Sequence, residues 1–196
     1  MACRIGTPAI LHSLMICETL ASLELGMTAA PGLRFITWPE ILGRAPQAVQ
    51  ESATPFRMPL PSGGFLVPDG VFGIEYRQDG SKAYRFFALE TDRGTMPLVR
   101  SSSRQTSYMA KLAAYRELIA HQVYKKHWGV PNLLVLTVTN SELRMIEMLK
   151  RLAGMGGESA AFLFKAVDAS VLKVPAMGLP HEPWARAGLP PIRIDE

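Results

Sequence analysis

Apolar positions recur along this chain with two periods, one near 3.6 and one of 2, and the switches between them mark its elements. From Pro8 to Met27 the spacing of Leu11, Leu14, Ala21 and Leu25 is helical, and Gly26 with Pro31-Gly32 beyond it supplies a stop, so a docking helix is predicted there. Leu33 to Trp38 alternates as a short strand. Pro39 to Pro61 is proline-rich and reads as a surface excursion with little regular structure. Phe65 to Thr95 then carries aromatic and β-branched residues on both sides of Asp79-Gly80. This is the pair favoured in a two-residue hairpin loop, because both central residues need positive φ.

Past a polar loop from Met96 to Thr106, Leu112, Ile119 and Val123 form the apolar stripe of a long helix from Ser107 to Trp128, ended by Gly129-Val130-Pro131. Asn132 to Val138 is a short apolar run suited to a strand buried on both faces, at the centre of the sheet. Thr139-x-x-Glu142 has the form of a capping box opening a helix in which Leu143, Ile146 and Leu149 face inward. Ala161 to Val167 is the last predicted strand. The segment from Pro175 carries Pro180, Pro183, Pro190 and Pro191, too many prolines for regular structure, and is expected to wrap the surface or bind a partner. The order predicts an α/β sandwich with a mixed sheet flanked by helices. It forms one domain over residues 1–174, with a proline-rich tail over 175–196.

The hairpin is also where the acidic chemistry gathers. If pairing about Asp79-Gly80 runs without a bulge, Asp69 lies opposite Glu90, and directly opposed side chains share a face about 5 Å apart at Cβ. Asp92, two residues beyond Glu90, points to that face as well. Three converging carboxylates repel unless a cation sits among them, so Asp69, Glu90 and Asp92 are candidate ligands of Mg²⁺ or Mn²⁺. A bulge would move Asp69 to the other face. On the long helix Lys111, Tyr115 and Gln122 share one polar stripe.

The chain has 196 residues, 48% of them hydrophobic, enough for one substantial core. Its two cysteines, Cys3 and Cys17, form neither a disulfide framework nor a zinc pattern, which fits a reducing cytoplasm. Pro8 and His12 interrupt the N-terminal apolar run and Glu18 ends it, so neither export nor a membrane span is expected. His12 reads as a helix-face or core residue, because no second metal-type residue lies at helical spacing from it. A net charge of +4 favours a phosphate-rich partner. Arg93, Arg100, Arg104 and Lys125 are the candidate phosphate contacts. The polar loop holding Arg100 and Arg104 also suits a merely solvated surface, and Lys125 stands at a helix C-terminus that favours cations in any case.

Pro68-Asp69, Glu90-x-Asp92-Arg93-Gly94-Thr95 and Lys111-x-x-x-Tyr115, in this order on these elements, resemble the replication-relaxation family of plasmid and mobile-element proteins. The resemblance runs from about His12 to Val167. It implies a restriction-endonuclease-like, PD-(D/E)xK fold and a divalent-metal-dependent DNA endonuclease. In that reading Asp69, Glu90 and Asp92 ligate metal, Lys111 serves as a migrated catalytic lysine and Tyr115 positions the phosphate. Two departures bear on it. Family members usually carry a winged-helix DNA-binding domain ahead of the nuclease-like one, which the few residues before His12 do not form, so recognition of DNA would fall to other proteins of a mobile-element complex. The nuclease motif also expects Lys where this chain has Asp92. The alternative is therefore a catalytically inactive nuclease-like accessory that binds DNA or protein in plasmid replication control or mobilisation.

Overall fold

A computed structural model describes residues 7–94, 98, 107–156, 159–167 and 177–196. The predicted hairpin is its centre. Strand β4 (Gly70–Gln78) and strand β5 (Ser81–Asp92) pair antiparallel from Gln78↔Ser81 to Gly70↔Leu89 without a bulge. Asp79 and Gly80 make the turn at φ 48° and 78°, the left-handed conformation that this residue pair tolerates. One further bond, from the Asp69 amide to the Leu89 carbonyl at 3.0 Å, carries the ladder to Asp69.

Around the hairpin lies a seven-stranded mixed sheet. Its order is β1 (Leu33–Ile36), β4, β5, β6 (Leu134–Thr139), β7 (Phe162–Ala166), β8 (Trp184–Arg186) and β9 (Leu189–Ile192). Strand β6 is central and parallel to both neighbours, and its apolar run is buried, as expected of a strand covered on both faces. Alternation along β5 then divides the core. Phe86 and Ala88 pack with Leu112, Tyr115, Met148 and Leu152 on one face, from helices α4 (Tyr108–Ala120) and α6 (Glu142–Gly154). Phe87 and Leu89 pack with Met15, Leu23 and Met27 of helix α1 (Thr7–Ala29) on the other.

Several expectations are corrected. The buried side of α1 is Met15, Thr19, Ser22, Leu23 and Met27, while Leu14 and Leu25 are exposed. Glu18 does not end the apolar run either. Ala9–Ala29, of mean hydropathy 1.3, is long and apolar enough by length and composition to cross a membrane, and a third of it is buried in the fold. The excursion after β1 is more ordered than its prolines suggest. It contains helices α2 (Trp38–Leu42) and α3 (Gln47–Gln50) and a small ladder of β2 (Met58–Pro59) with β3 (Phe65–Leu66). Ile41 and Met58 from this stretch are core residues, and the Trp38 ring meets Phe56 and Trp128.

The long helix from Ser107 is two helices. His121 caps the end of α4 and Gln122, at φ 51°, caps the start of α5 (Val123–Trp128), so Gln122 is exposed at the break instead of continuing the stripe of Lys111 and Tyr115. The cap of α6 is Ser141, whose hydroxyl accepts from the Arg144 amide; Thr139 belongs to β6 and is fully buried. Leu143 is accordingly exposed, Ile146 is partly so, and the inward face is Met145, Met148, Leu149 and Leu152. The tail expected to lack regular structure completes the sheet. Pro190 and Pro191 lie on edge strand β9, where a missing amide costs no ladder bond, Pro180 and Pro183 precede β8, and Trp184 on β8 is fully buried. The tail also closes on α1, where a Cβ added at Gly26 would come within 2.3 Å of the Met177 carbonyl oxygen.

Candidate functional site

At the end of the hairpin opposite its turn, two strands and two helices deliver charged groups to a pocket of about 120 Å³. His12, Asp69, Glu90, Thr91, Asp92, Arg93, Tyr108 and Lys111 line it. Register explains the first part. Val71 and Ala88 belong to the core beneath α4, so by alternation Asp69, Glu90 and Asp92 lie on that same face. Ser107 caps α4 through its hydroxyl, which accepts from the Ala110 amide at 3.2 Å, and this sets the helix so that Lys111 and Tyr115, one turn apart, point at Glu90.

Glu90 is held at both oxygens. The Tyr115 hydroxyl donates to Oε1 at 2.5 Å and the Lys111 ammonium donates to Oε2. That ammonium also lies 3.6 Å from Asp69 Oδ1, so one cation bridges carboxylates from two adjacent strands. Burial pushes the Glu90 carboxyl up to about 8; Lys111 pulls it down, Asp69 pushes it further up, and burial wins. For Lys111, burial lowers the pKa, but the carboxylates of Glu90 and Asp69 outweigh it and the net direction is up. The Tyr115 phenol is raised well above its ordinary value by burial and then by Glu90. Next to it, the Tyr108 hydroxyl and Thr137 Oγ1 are 2.6 Å apart, and burial raises Tyr108 as well.

Asp92 shares the face and has a different partner. Arg144, from the first turn of α6, donates through Nε to Oδ2 at 2.5 Å and through Nη2 to Oδ1 at 3.1 Å, and the Gly94 amide donates to Oδ1 at 2.8 Å. Both oxygens are thereby engaged by a bidentate guanidinium. The three carboxylates therefore converge on one pocket as two groups, Asp69 with Glu90 around Lys111, and Asp92 with Arg144. Among the described residues, no three or more His, Cys, Asp or Glu side chains are grouped to hold a metal ion.

Arg93 lines the pocket, whereas Lys125, exposed in the last turn of α5, does not. Arg100 and Arg104 lie outside the described residues. Two residues were missed in the sequence. His12 reaches the pocket from α1, on the other face of the sheet, with Nε2 3.5 Å from Asp69 Oδ1 and Nδ1 3.3 Å from Thr91 Oγ1. No local spacing pairs His12 with Asp69; only the docking of α1 does. Arg144 was hidden in the same way, 52 positions from its partner.

The family model for replication-relaxation proteins matches residues 2–134, about two thirds of the chain, a span within which Asp69, Glu90, Asp92, Lys111 and Tyr115 fall. The chain belongs to the replication-relaxation family. Membership associates it with the replication or mobilisation of plasmids and mobile elements. Arg144 and strands β7 to β9 lie beyond the matched residues. No curated protein and no solved structure matched.

Proposed function

We propose that this replication-relaxation protein is a divalent-metal-dependent DNA endonuclease built on a restriction-endonuclease-like, PD-(D/E)xK sandwich. The observation that carries the reading is the Lys111 ammonium seated against both Glu90 and Asp69. A buried carboxylate at the end of a strand is costly unless something cationic meets it. The cation position it shares with Asp69 is the kind that Mg²⁺ or Mn²⁺ occupies.

The donor set fits such an ion in part. Mg²⁺ is commonly held by one or two carboxylates, with water and substrate phosphate completing its shell, and Asp69 and Glu90 suit that role. Glu90 is free for an ion only once Lys111 leaves its Oε2, and Asp92, gripped through both oxygens by the Arg144 guanidinium, does not suit it. When bound, the ion would supply a water of lowered pKa and neutralise charge on the phosphate. Lys111, displaced from Glu90 by the ion, would stabilise the charge developing on a nonbridging oxygen. Tyr115 fixes the Glu90 carboxylate, and Arg93 at the pocket wall contacts the backbone phosphate. DNA is the partner, with recognition supplied by other proteins of a mobile-element complex.

A specific observation favours a second reading, a non-cutting accessory that binds DNA or protein. Position 92 carries an Asp locked to Arg144 where the nuclease motif has lysine. Supercoiled plasmid incubated with Mn²⁺ separates the two, with wild type beside Glu90→Gln and Lys111→Met. The endonuclease nicks as wild type and loses nicking in both variants. Equal nicking by all three preparations marks a contaminant, and DNA binding without nicking by any of them favours the accessory.

A further inference from the structure

The Asp69 carboxylate is approached from both sides of the sheet. From one face comes Lys111, 3.6 Å from Oδ1; from the other comes His12, its Nε2 3.5 Å from that same oxygen. The second oxygen is fixed by the strand itself. Thr91 donates to Oδ2 through its amide at 2.8 Å and through its hydroxyl at 3.1 Å, and that hydroxyl lies 3.3 Å from His12 Nδ1. Both ring nitrogens of one imidazole are thus turned toward Asp69 and the residue that holds it. Packing does not account for this orientation. The His12 side chain is 40% exposed, and the core-facing residues of α1 are Met15, Leu23 and Met27.

We infer that His12 is a positioning residue of the carboxylate site: with Thr91 it sets the direction of the Asp69 carboxylate that Lys111 and Glu90 meet from the other face. Asp69 stands just before β4, and its carboxylate meets Thr91 at one oxygen and Lys111 and His12 at the other. Helix α1 is then a working part of the site as well as a cover for the sheet. The inference rests on the metal-dependent reading only for the first of two measurements.

The first is calorimetric titration of Mn²⁺ into wild type, His12→Ala and His12→Gln. Removing a residue that orients a ligand weakens metal affinity by about 10-fold or more. His12→Ala is expected to show that loss with an unchanged melting temperature, and His12→Gln, which restores an N–H donor, to recover most of it. Wild-type affinity in His12→Ala overturns the inference while leaving the metal-dependent reading intact. If wild type itself takes up no Mn²⁺, that reading falls, and the second measurement decides on His12 alone. In metal-free protein the imidazole nitrogen resonances of His12 are compared between wild type and Asp69→Asn. A shift on loss of the carboxylate supports the positioning contact, and unmoved resonances overturn it.

Discussion

Replacing Glu90 by glutamine tests whether burial or the neighbouring ammonium governs the charge at the heart of the site. The carboxyl stands near 8 in the folded protein against a reference of 4.5. Between those values the native state holds a proton that the unfolded chain has released. The sign follows directly: stability from this group is complete below about pH 4.5 and is lost as pH rises through about 8. At about 1.4 kcal/mol for each unit of pKa difference, the whole effect is about 5 kcal/mol, and about 3 kcal/mol of it falls between pH 5.5 and pH 8.5. Glutamine keeps the shape and the acceptor for Tyr115 and does not titrate, and Lys111 retains Asp69 as a partner. Other groups complicate an absolute profile. His127, lowered by burial, stabilises in the opposite direction near neutrality, while Glu40 and Glu75, both lowered, act only at more acid pH. These are common to both proteins and cancel in the difference. Urea unfolding of wild type and Glu90→Gln at intervals from pH 5.5 to 8.5 is expected to show the wild type losing about 3 kcal/mol relative to the variant. Parallel profiles would refute the reasoning, because they would mean that Lys111 keeps Glu90 ionised throughout this range. Glu90→Ala is the poorer probe: it leaves the buried Tyr115 hydroxyl without its acceptor and opens a cavity, and is expected to destabilise the fold.

Arg144→Ala leaves the buried Asp92 carboxylate without its bidentate partner and is expected to cost about 3–5 kcal/mol in urea unfolding, whereas Asp92→Asn, which removes the charge itself, costs distinctly less. An equal cost for both would show that the pair is neither buried nor coupled as described. Trp184→Ala, in the C-terminal strand pair, is expected to cost about 3–5 kcal/mol, since the ring is fully buried and packs with Leu163 and Ile194. A loss below about 1 kcal/mol would return the C-terminal segment to the status of a tail.

The site was legible where it depended on short-range chemistry. Asp79-Gly80 dictates a two-residue turn, the turn dictates the register, and the register alone brings Asp69 and Glu90 to one face. Lys111 and Tyr115 followed from a single helical turn. Legibility failed wherever a partner arrives through tertiary docking. The stripe chosen for α1 contained Leu14 and Leu25, yet the helix turns Met15, Leu23 and Met27 inward, because the sheet selects which of several apolar faces it covers. His12 and Arg144 went unnoticed for the same reason, each brought to the hairpin by an element packed on a different face. Prolines misled at the C-terminus, since an edge strand tolerates them and a tryptophan anchors it. The carboxylates are the most informative case. Counting three acids on one face is sound geometry, but an acid without a cation and an acid already paired look identical in sequence. The division into Asp69 with Glu90 around a lysine, and Asp92 around an arginine, exists only once α4 and α6 are laid over the same face of the sheet. Whatever chemistry the pocket performs therefore depends on two helices that meet it from one face and on α1, which meets it from the other.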